Sequence, residues 1–230
     1  MRHRIFVGAI APQIEVTGDE FHHAARVVRV REGEEVEVFD GKGHAAHGRV
    51  VAIAKESLRV DVDREIDSRE SPLRITLAAA IIQPDKFELV LQKTTELGVA
   101  AIIPLVTDRI EVRAERYRGK AERWQKIVFE AVKQSGRALI PALTEPQTFD
   151  EVVKNPGLKI IFDADEPEDR GPRPGDLNPT LLVGPEGGWS EREIAIAREN
   201  GCRFRSLGPR RLRAETAAIT AVAAAATRPE

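Results

Sequence analysis

Cysteine is almost absent from this chain of 230 residues, in which Cys202 is the only one. A disulfide within the chain and a zinc site built from several cysteines are therefore excluded. Long apolar runs are also missing, because the stretch over 217–226 has ten residues and is mostly alanine. Such a stretch is too short to cross a bilayer, and no apolar segment with a small-residue cleavage site follows Met1. We expect a soluble, cytoplasmic protein with no membrane partner.

Several catalytic signatures are missing as well. The chain has no GxxxxGK[ST] phosphate loop, no GxGxxG after its first predicted strand and no GxSxG turn. His44 and His47 fall in a predicted turn, without a carboxylate or cysteine at metal-ligand spacing. We therefore expect no metal ion, and a nucleotide hydrolase is the least favoured class of enzyme.

Acidic and basic residues nearly balance, at a net charge of −2, but the basic ones are unusual in kind and position. Arginine supplies 26 of the 35 basic side chains, and five of them lie between Arg203 and Arg213 with no acid among them. The planar guanidinium fork suits phosphates and base edges. Because uncompensated like charges repel, this run fits nucleic-acid binding better than an ordinary solvated face.

The spacing of apolar residues along the chain changes near residue 70. Residues 1–70 alternate apolar and polar side chains in short strands around one helix over 19–30, which predicts a small β-barrel domain. A polar segment, 64–72, follows as a plausible linker. Residues 71–230 then alternate buried strands with helices, which predicts an α/β domain with an open, mostly parallel sheet. The predicted strands are 73–82, 99–107, 158–165, 180–188 and 202–208, and the predicted helices are 85–98, 121–137, 190–200 and 214–226.

Two glycine-bearing loops follow late strands of this sheet, VGPEGGWS over 183–190 and SLGPRRLRAET over 206–216. Open parallel sheets bind ligands at the carboxyl ends of their strands, and glycine lets the backbone approach a ligand closely. One such loop alone could be a tight turn, whereas two in succession indicate a binding site. Glu186 and Glu215 lie in these loops, and each could orient a ligand or cap a helix N-terminus.

Four segments together resemble one family in order and spacing. They are KTTELGV (93–99), ERWQKIVFEAVKQSGR (122–137), LLVGPEGGWSEREI (181–194) and SLGPRRLRAETAAI (206–219), and HHAARVVRVREGEEVEVFDGKG (22–43) resembles its N-terminal domain. The family is RsmE, ribosomal RNA methyltransferases that act on N3 of a uridine in the 16S RNA of the small ribosomal subunit. The resemblance implies a PUA-like RNA-binding β-barrel domain at 1–70 and a SPOUT-type α/β methyltransferase domain at 71–230, with a trefoil knot. It also implies a homodimer.

The same resemblance implies S-adenosylmethionine as the methyl donor. The implied cofactor contacts are Phe162, Val183, Gly184, Pro185, Glu186, Gly187, Ser206, Leu207, Leu212 and Arg213. The expected catalytic residues are Arg210, Arg211 and Arg213, one of which would stabilise a deprotonated uridine, together with Glu215; no general base is identified. The expected RNA contacts are His23, Arg26, Arg29 and Arg137.

Two alternatives stay open. A SPOUT relative could methylate a ribose 2′-hydroxyl or a tRNA base with the same cofactor loops. A protein without catalytic activity could use the small barrel and the arginines to bind RNA.

Overall fold

A computed structural model describes residues 3–110, 117, 119–164 and 178–227. The chain forms two compact units, one of Met1–Glu70 with Val132–Ile140 and the other of Ser71–Ala131 with Pro141–Glu230. The division between residues 70 and 71 stays a prediction, and the structure adds Val132–Ile140 to the first unit. Among the described helices, none combines the length and apolarity that crossing a membrane requires.

The first unit is built around a five-stranded sheet, because alternating side chains put one face of each strand in the core. In β3, for example, Val36 and Val38 are fully buried while Glu35 is exposed. The sheet order is β1-β3-β4-β5-β2, with β1 parallel to β3 and the other pairs antiparallel. These strands are β1 (His3–Phe6), β2 (Gln13–Thr17), β3 (Glu35–Phe39), β4 (Ala45–Ile53) and β5 (Ser57–Ile66).

The helix predicted over 19–30 is shorter and less regular than expected. A five-residue α1 (Gly18–His22) runs into a π-helix, His23–Val28, which ends at Arg29 in the left-handed conformation with φ 61°. π-Helices are rare and are frequently found at functional sites. The apolar period of 3.6 that the sequence shows does not distinguish the two helix types, so the sequence could not have predicted this one.

A buried ion pair fixes Val132–Ile140 within the first unit. The Glu70 carboxylate accepts hydrogen bonds from the Arg137 guanidinium, at 2.8 Å to Nη2, and from the backbone N–H groups of Ala138 and Leu139, at 3.0 Å each. Arg137 is only 7% exposed. The expected RNA contact at Arg137 is therefore replaced by a structural role, because its guanidinium faces Glu70 rather than solvent.

The second unit contains a seven-stranded sheet in which every pairing is parallel. Its order is β12-β10-β11-β6-β7-β8, and β9 also pairs with β7. The central strands are apolar on both faces, as expected for a parallel sheet. These strands are β6 (Thr76–Ala80), β7 (Ala101–Val106), β8 (Ala142–Leu143), β9 (Gln147–Thr148), β10 (Lys159–Phe162), β11 (Thr180–Val183) and β12 (Arg203–Arg205).

The helices of this unit begin and end close to the predicted positions. They are α2 (Pro84–Glu96), α3 (Ala121–Ser135), α4 (Phe149–Lys154), α5 (Glu191–Glu199) and α6 (Ala214–Ala226), and the last four residues of α3 belong to the first unit. The sequence reading missed β8, β9 and α4, which are too short to show a period. It also extended the strand over 158–165 beyond its end at Phe162, and Asp165 lies outside the described residues. Cys202 packs in the core, where burial raises the pKa of its thiol to about 11.

The ion pair of Glu70 generates a prediction about stability. Glu70→Ala should lower the free energy of unfolding by about 3–5 kcal/mol, because it leaves a buried guanidinium without its counter-charge. Glu65→Ala removes the same charge from an exposed site and should change it by less than about 0.5 kcal/mol. Urea unfolding followed by circular dichroism measures both, and equal effects of the two variants would contradict the assignment.

Candidate functional site

The carboxyl ends of three neighbouring strands converge on one cavity. Because β12, β10 and β11 are adjacent and parallel, the segments that follow them emerge at the same edge of the sheet. They enclose a cavity of about 350 Å³. Its lining residues are Arg109, Phe162, Asp163, Ala164, Val183, Gly184, Pro185, Glu186, Gly187, Gly188, Trp189, Leu207, Gly208, Arg210, Arg211, Leu212, Ala214 and Ala217.

The loop between β11 and α5, residues 184–190, needs its glycines for close approach. A Cβ atom added at Gly184 would lie 3.0 Å from the Trp189 ring, and one at Gly187 would lie 3.3 Å from Cβ of Arg109. Gly188 has φ +68°, and its N–H donates to the Pro185 carbonyl at 2.9 Å to close a turn. The backbone of this loop is therefore bare toward the cavity and tightly packed behind it.

Trp189 connects this loop to the end of β10. Its ring is 6% exposed and packs against Phe149 with a centroid distance of 5.2 Å. Its indole N–H donates to the Phe162 carbonyl at 3.1 Å. Two of the three segments that line the cavity are thus held together by one side chain.

The end of the loop is fixed by the capping box that Ser190 and Glu193 form at the start of α5. Glu193 is fully buried, and its carboxylate also accepts the backbone N–H of Asp108 at 3.0 Å. The Asp108 carboxylate in turn accepts from the Ser190 hydroxyl at 2.6 Å and from Arg192 at 2.8 Å. These bonds tie the segment after β7 to the loop after β11.

Arg109 is a charged side chain at the cavity that the sequence did not indicate, and Asp163 is another. Nη1 of Arg109 donates to the Gly187 carbonyl at 3.0 Å, across 78 positions of the chain. The available signal was its position just after β7, at the same sheet edge as the glycine loops. Trp189, in contrast, lies in the motif over 183–190 that the sequence indicated, but no role in the site was predicted for it.

The second loop, residues 206–213, contributes arginines to the rim. Arg210 and Arg211 line the cavity and are exposed, whereas Arg213 is exposed but precedes α6 outside the lining. Ser206 also lies outside the lining, and its hydroxyl bonds with the backbone of Gly208. The expected cofactor contacts other than Ser206 and Arg213 are thus brought together around one cavity.

The two loop carboxylates differ in their surroundings. Glu186 lines the cavity and forms an ion pair with Lys86 at 3.3 Å. Glu215 is 9% exposed, lies in the first turn of α6 outside the lining, and its Oε2 has no hydrogen-bond partner among the described residues. Within those residues no group of three His, Cys, Asp or Glu side chains could hold a metal ion.

The remaining expected RNA contacts lie in the first unit. Arg26 and Arg29 are exposed at the π-helix and its end, and His23 is partly buried at its start. Val27 between them is 64% exposed.

Comparisons with known proteins match both parts of the chain. Residues 69–226 match the RNA methyltransferase domain family, and residues 16–63 match the RNA methyltransferase PUA domain family. Ribosomal RNA small subunit methyltransferase E from Bacillus subtilis is 30% identical over 93% of this chain and 90% of its own length. The chain belongs to the RsmE family.

Solved structures of relatives agree in fold. An RsmE methyltransferase from Neisseria gonorrhoeae, crystallised with S-adenosylmethionine, is 33% identical and superposes with a TM-score of 0.88 over 97% of this chain and 96% of its own. A methyltransferase from Legionella pneumophila, in complex with the same cofactor, is 33% identical with a TM-score of 0.81 at the same coverage. The chain therefore has the α/β fold with an N-terminal PUA-like domain of this family.

Asp108 generates a prediction about pH. Hydrogen bonds from Arg192 and Ser190 hold the pKa of its carboxyl below the ordinary 3.8. The stabilisation it contributes is therefore complete above pH 4 or so and is lost as the pH falls through its lowered pKa. Asp108→Asn should lower the urea-unfolding midpoint slightly at pH 6, because both partners are partly exposed, and less at pH 3. A midpoint difference that is the same at both pH values would contradict this.

Proposed function

We propose that this chain transfers a methyl group from S-adenosylmethionine to N3 of a uridine in the 16S RNA of the small ribosomal subunit. The observation that carries the proposal is the cavity at the ends of β10, β11 and β12, which combines a bare glycine backbone with two arginines, Arg210 and Arg211. The supporting relatives are named small-subunit ribosomal RNA methyltransferases, and one of them is bound to S-adenosylmethionine.

The cavity fits a cofactor of this kind. Its volume of about 350 Å³ falls in the range of about 300–1,000 Å³ that small-molecule sites occupy. A side chain at Gly184 or Gly187 would meet Trp189 or Arg109 within 3.3 Å, so the loop can carry only glycine without displacing its neighbours. The bare N–H and C=O groups that result are suited to a polar, flexible ligand.

The residues that would hold the cofactor come from both loops and from β10. They are Phe162, Val183, Gly184, Pro185, Glu186, Gly187, Leu207 and Leu212, with Ser206 and Arg213 from the edge of the second loop. When bound, S-adenosylmethionine supplies an electrophilic methyl group on a positively charged sulfur. Lys86 holds the Glu186 carboxylate, which keeps that side chain oriented at the cavity.

The arginines of the second loop supply the electrostatic part of the mechanism. N3 of uridine carries a weakly acidic proton, so methylation there requires the uridinate to be stabilised as it forms. A guanidinium donating to O2 or O4 would do this, and preorganised donors of this type are worth about 3 kcal/mol each. Arg210 and Arg211 line the cavity, Arg213 follows them, and Glu215 would orient this loop from the first turn of α6.

Positioning of the two reactants supplies the other large contribution, because it removes the entropy cost of bringing them together. The end of β10 and the loop after β11 are fixed by Trp189 and Glu193.

Further parts of the proposal rest on the family resemblance. We propose that residues 1–70 bind RNA through His23, Arg26 and Arg29, which the exposure of Arg26 and Arg29 supports. We propose a trefoil knot formed by the C-terminal segment of residues 71–230, a homodimer and a cytoplasmic location. The resemblance of residues 206–219 to the family supports the knot.

Nucleoside mass spectrometry distinguishes the proposed reaction from its rivals. Unmodified small-subunit rRNA incubated with the protein and S-adenosylmethionine should yield 3-methyluridine. A 2′-O-methylated nucleoside, or product only on tRNA, would favour the other SPOUT activities. Calorimetry with S-adenosylmethionine tests the remaining alternative, since a protein that only binds RNA would give no heat of cofactor binding.

Alanine variants of the second loop test the role of the arginines. Substituting the arginine that stabilises the uridinate, among Arg210, Arg211 and Arg213, should lower kcat by about 10²–10³-fold. Cofactor affinity should stay largely unchanged in the Arg210 and Arg211 variants, because neither residue is among the proposed cofactor contacts. Steady-state kinetics and calorimetry measure the two effects. Lys126→Ala, at an exposed position of α3, is the control for loss of one positive charge. Unchanged methylation in all three arginine variants would refute this mechanism.

A further inference from the structure

The rim of the cavity carries guanidinium groups that follow two widely separated strands of the sheet. Arg210 and Arg211 follow the edge strand β12, whereas Arg109 follows β7, four strands away in the order β12-β10-β11-β6-β7. Arg210 and Arg211 belong to the family motif over 206–219, whereas the proposed mechanism assigns no role to Arg109. A third arginine at this rim therefore needs its own explanation.

Arg109 is held in a defined place although it is exposed. Its Nη1 bonds to the Gly187 carbonyl at 3.0 Å. The preceding residue, Asp108, is fixed by its backbone N–H bond to the buried Glu193 and by its side-chain bond to Ser190. The backbone from which the Arg109 side chain projects is therefore rigid, and one end of its guanidinium is already oriented.

The charge of the guanidinium acts on the neighbouring Asp108 carboxyl and helps to lower the pKa of that group, but Asp108 itself is paired with Arg192. Arg109 forms no ion pair with any residue that the structure describes, and its one hydrogen bond there goes to a neutral carbonyl. An arginine has five N–H donors, so most of its donors remain for a ligand. Glu186, the nearest loop carboxylate along the chain from Gly187, is paired with Lys86 instead.

We propose that Arg109 binds a backbone phosphate of the RNA strand beside the target nucleotide, an inference that rests on the proposed function. A rigid, exposed arginine with free donors matches a phosphate, which accepts two parallel N–H bonds from the fork. Its exposure at the rim fits a contact with the incoming strand better than one with an enclosed cofactor. Phosphate contacts of this kind set the register of a nucleic acid without reading its sequence.

The contact would act from the opposite side to the second loop. Arg109 would hold the strand on the β7 side, while Arg210 and Arg211 face the base from the β12 side. Because the same guanidinium contacts Gly187, the phosphate would be aligned with the loop that forms the cofactor cavity. Arg109 is thus a substrate-positioning residue rather than a participant in methyl transfer.

The test separates charge from loop packing with two substitutions. Arg109→Gln removes the charge but keeps an amide donor for the Gly187 carbonyl, whereas Arg109→Lys keeps the charge and loses the fork. Binding of small-subunit rRNA is measured by filter retention without cofactor, over about 50–200 mM salt. S-adenosylmethionine affinity is measured separately by calorimetry. Arg74→Ala, an exposed arginine of the same unit outside the cavity, is the matched control.

Arg109→Gln should weaken rRNA binding about 10-fold and reduce the slope of log K against log salt by about 0.7–0.9, the signature of one lost phosphate contact. Arg109→Lys should keep the slope and bind more weakly than wild type. Cofactor affinity should stay unchanged in the Gln variant, and Arg74→Ala should match wild type in both measurements. An unchanged slope in Arg109→Gln, or a loss confined to cofactor affinity, would overturn the proposal.

The readouts distinguish this proposal from the proposed function. If wild type binds rRNA but methylates no uridine, the proposed function fails. The slope of log K against log salt still shows whether Arg109 contacts a phosphate. If methylation proceeds and the slope of Arg109→Gln equals that of wild type, only the assignment of Arg109 fails.

Discussion

The buried carboxylate of Glu193 is the interaction on which the site depends most directly. One oxygen accepts the Ser190 N–H at 2.8 Å and the other accepts the Asp108 N–H at 3.0 Å, with the side chain fully withdrawn from solvent. A single anion therefore joins the end of β7, the end of the glycine loop and the start of α5. Charge-assisted bonds to backbone N–H groups are stronger than neutral ones, so the loop backbone is rigid where it faces the cavity.

The sequence predicts those parts of the site that are local along the chain. The Ser190–Glu193 spacing is typical of a capping box, and the glycines of 183–190 indicated close backbone approach; both are present. The buried strands and their alternation with helices likewise indicated a mostly parallel sheet. The spacing of apolar residues along a strand shows whether one or both faces of the sheet are buried. In each case the residues that form the pattern and the structure that they specify lie within a few positions of each other in the chain.

What the sequence could not predict depends on partners far apart along the chain. Arg109 lies at the cavity, where it bonds to Gly187. Arg137, an expected RNA contact, instead pairs with Glu70, 67 positions earlier in the chain. The identity of a charged residue does not indicate whether its side chain is exposed or buried against a counter-ion. The π-helix at His23–Val28 was missed because the apolar pattern permits either helix type.

The order of strands in the second unit also constrains how it can form during translation. Strand β6 begins at Thr76, yet one of its two partners, β11, begins at Thr180. At synthesis rates of about 5–20 residues per second, β6 waits on the order of 10 s for that neighbour to emerge. During this interval an apolar strand has an unpaired edge, which is a template for aggregation. The late position of β11 in the chain thus leaves β6 open to such pairing for longer than if both of its partners were adjacent in sequence.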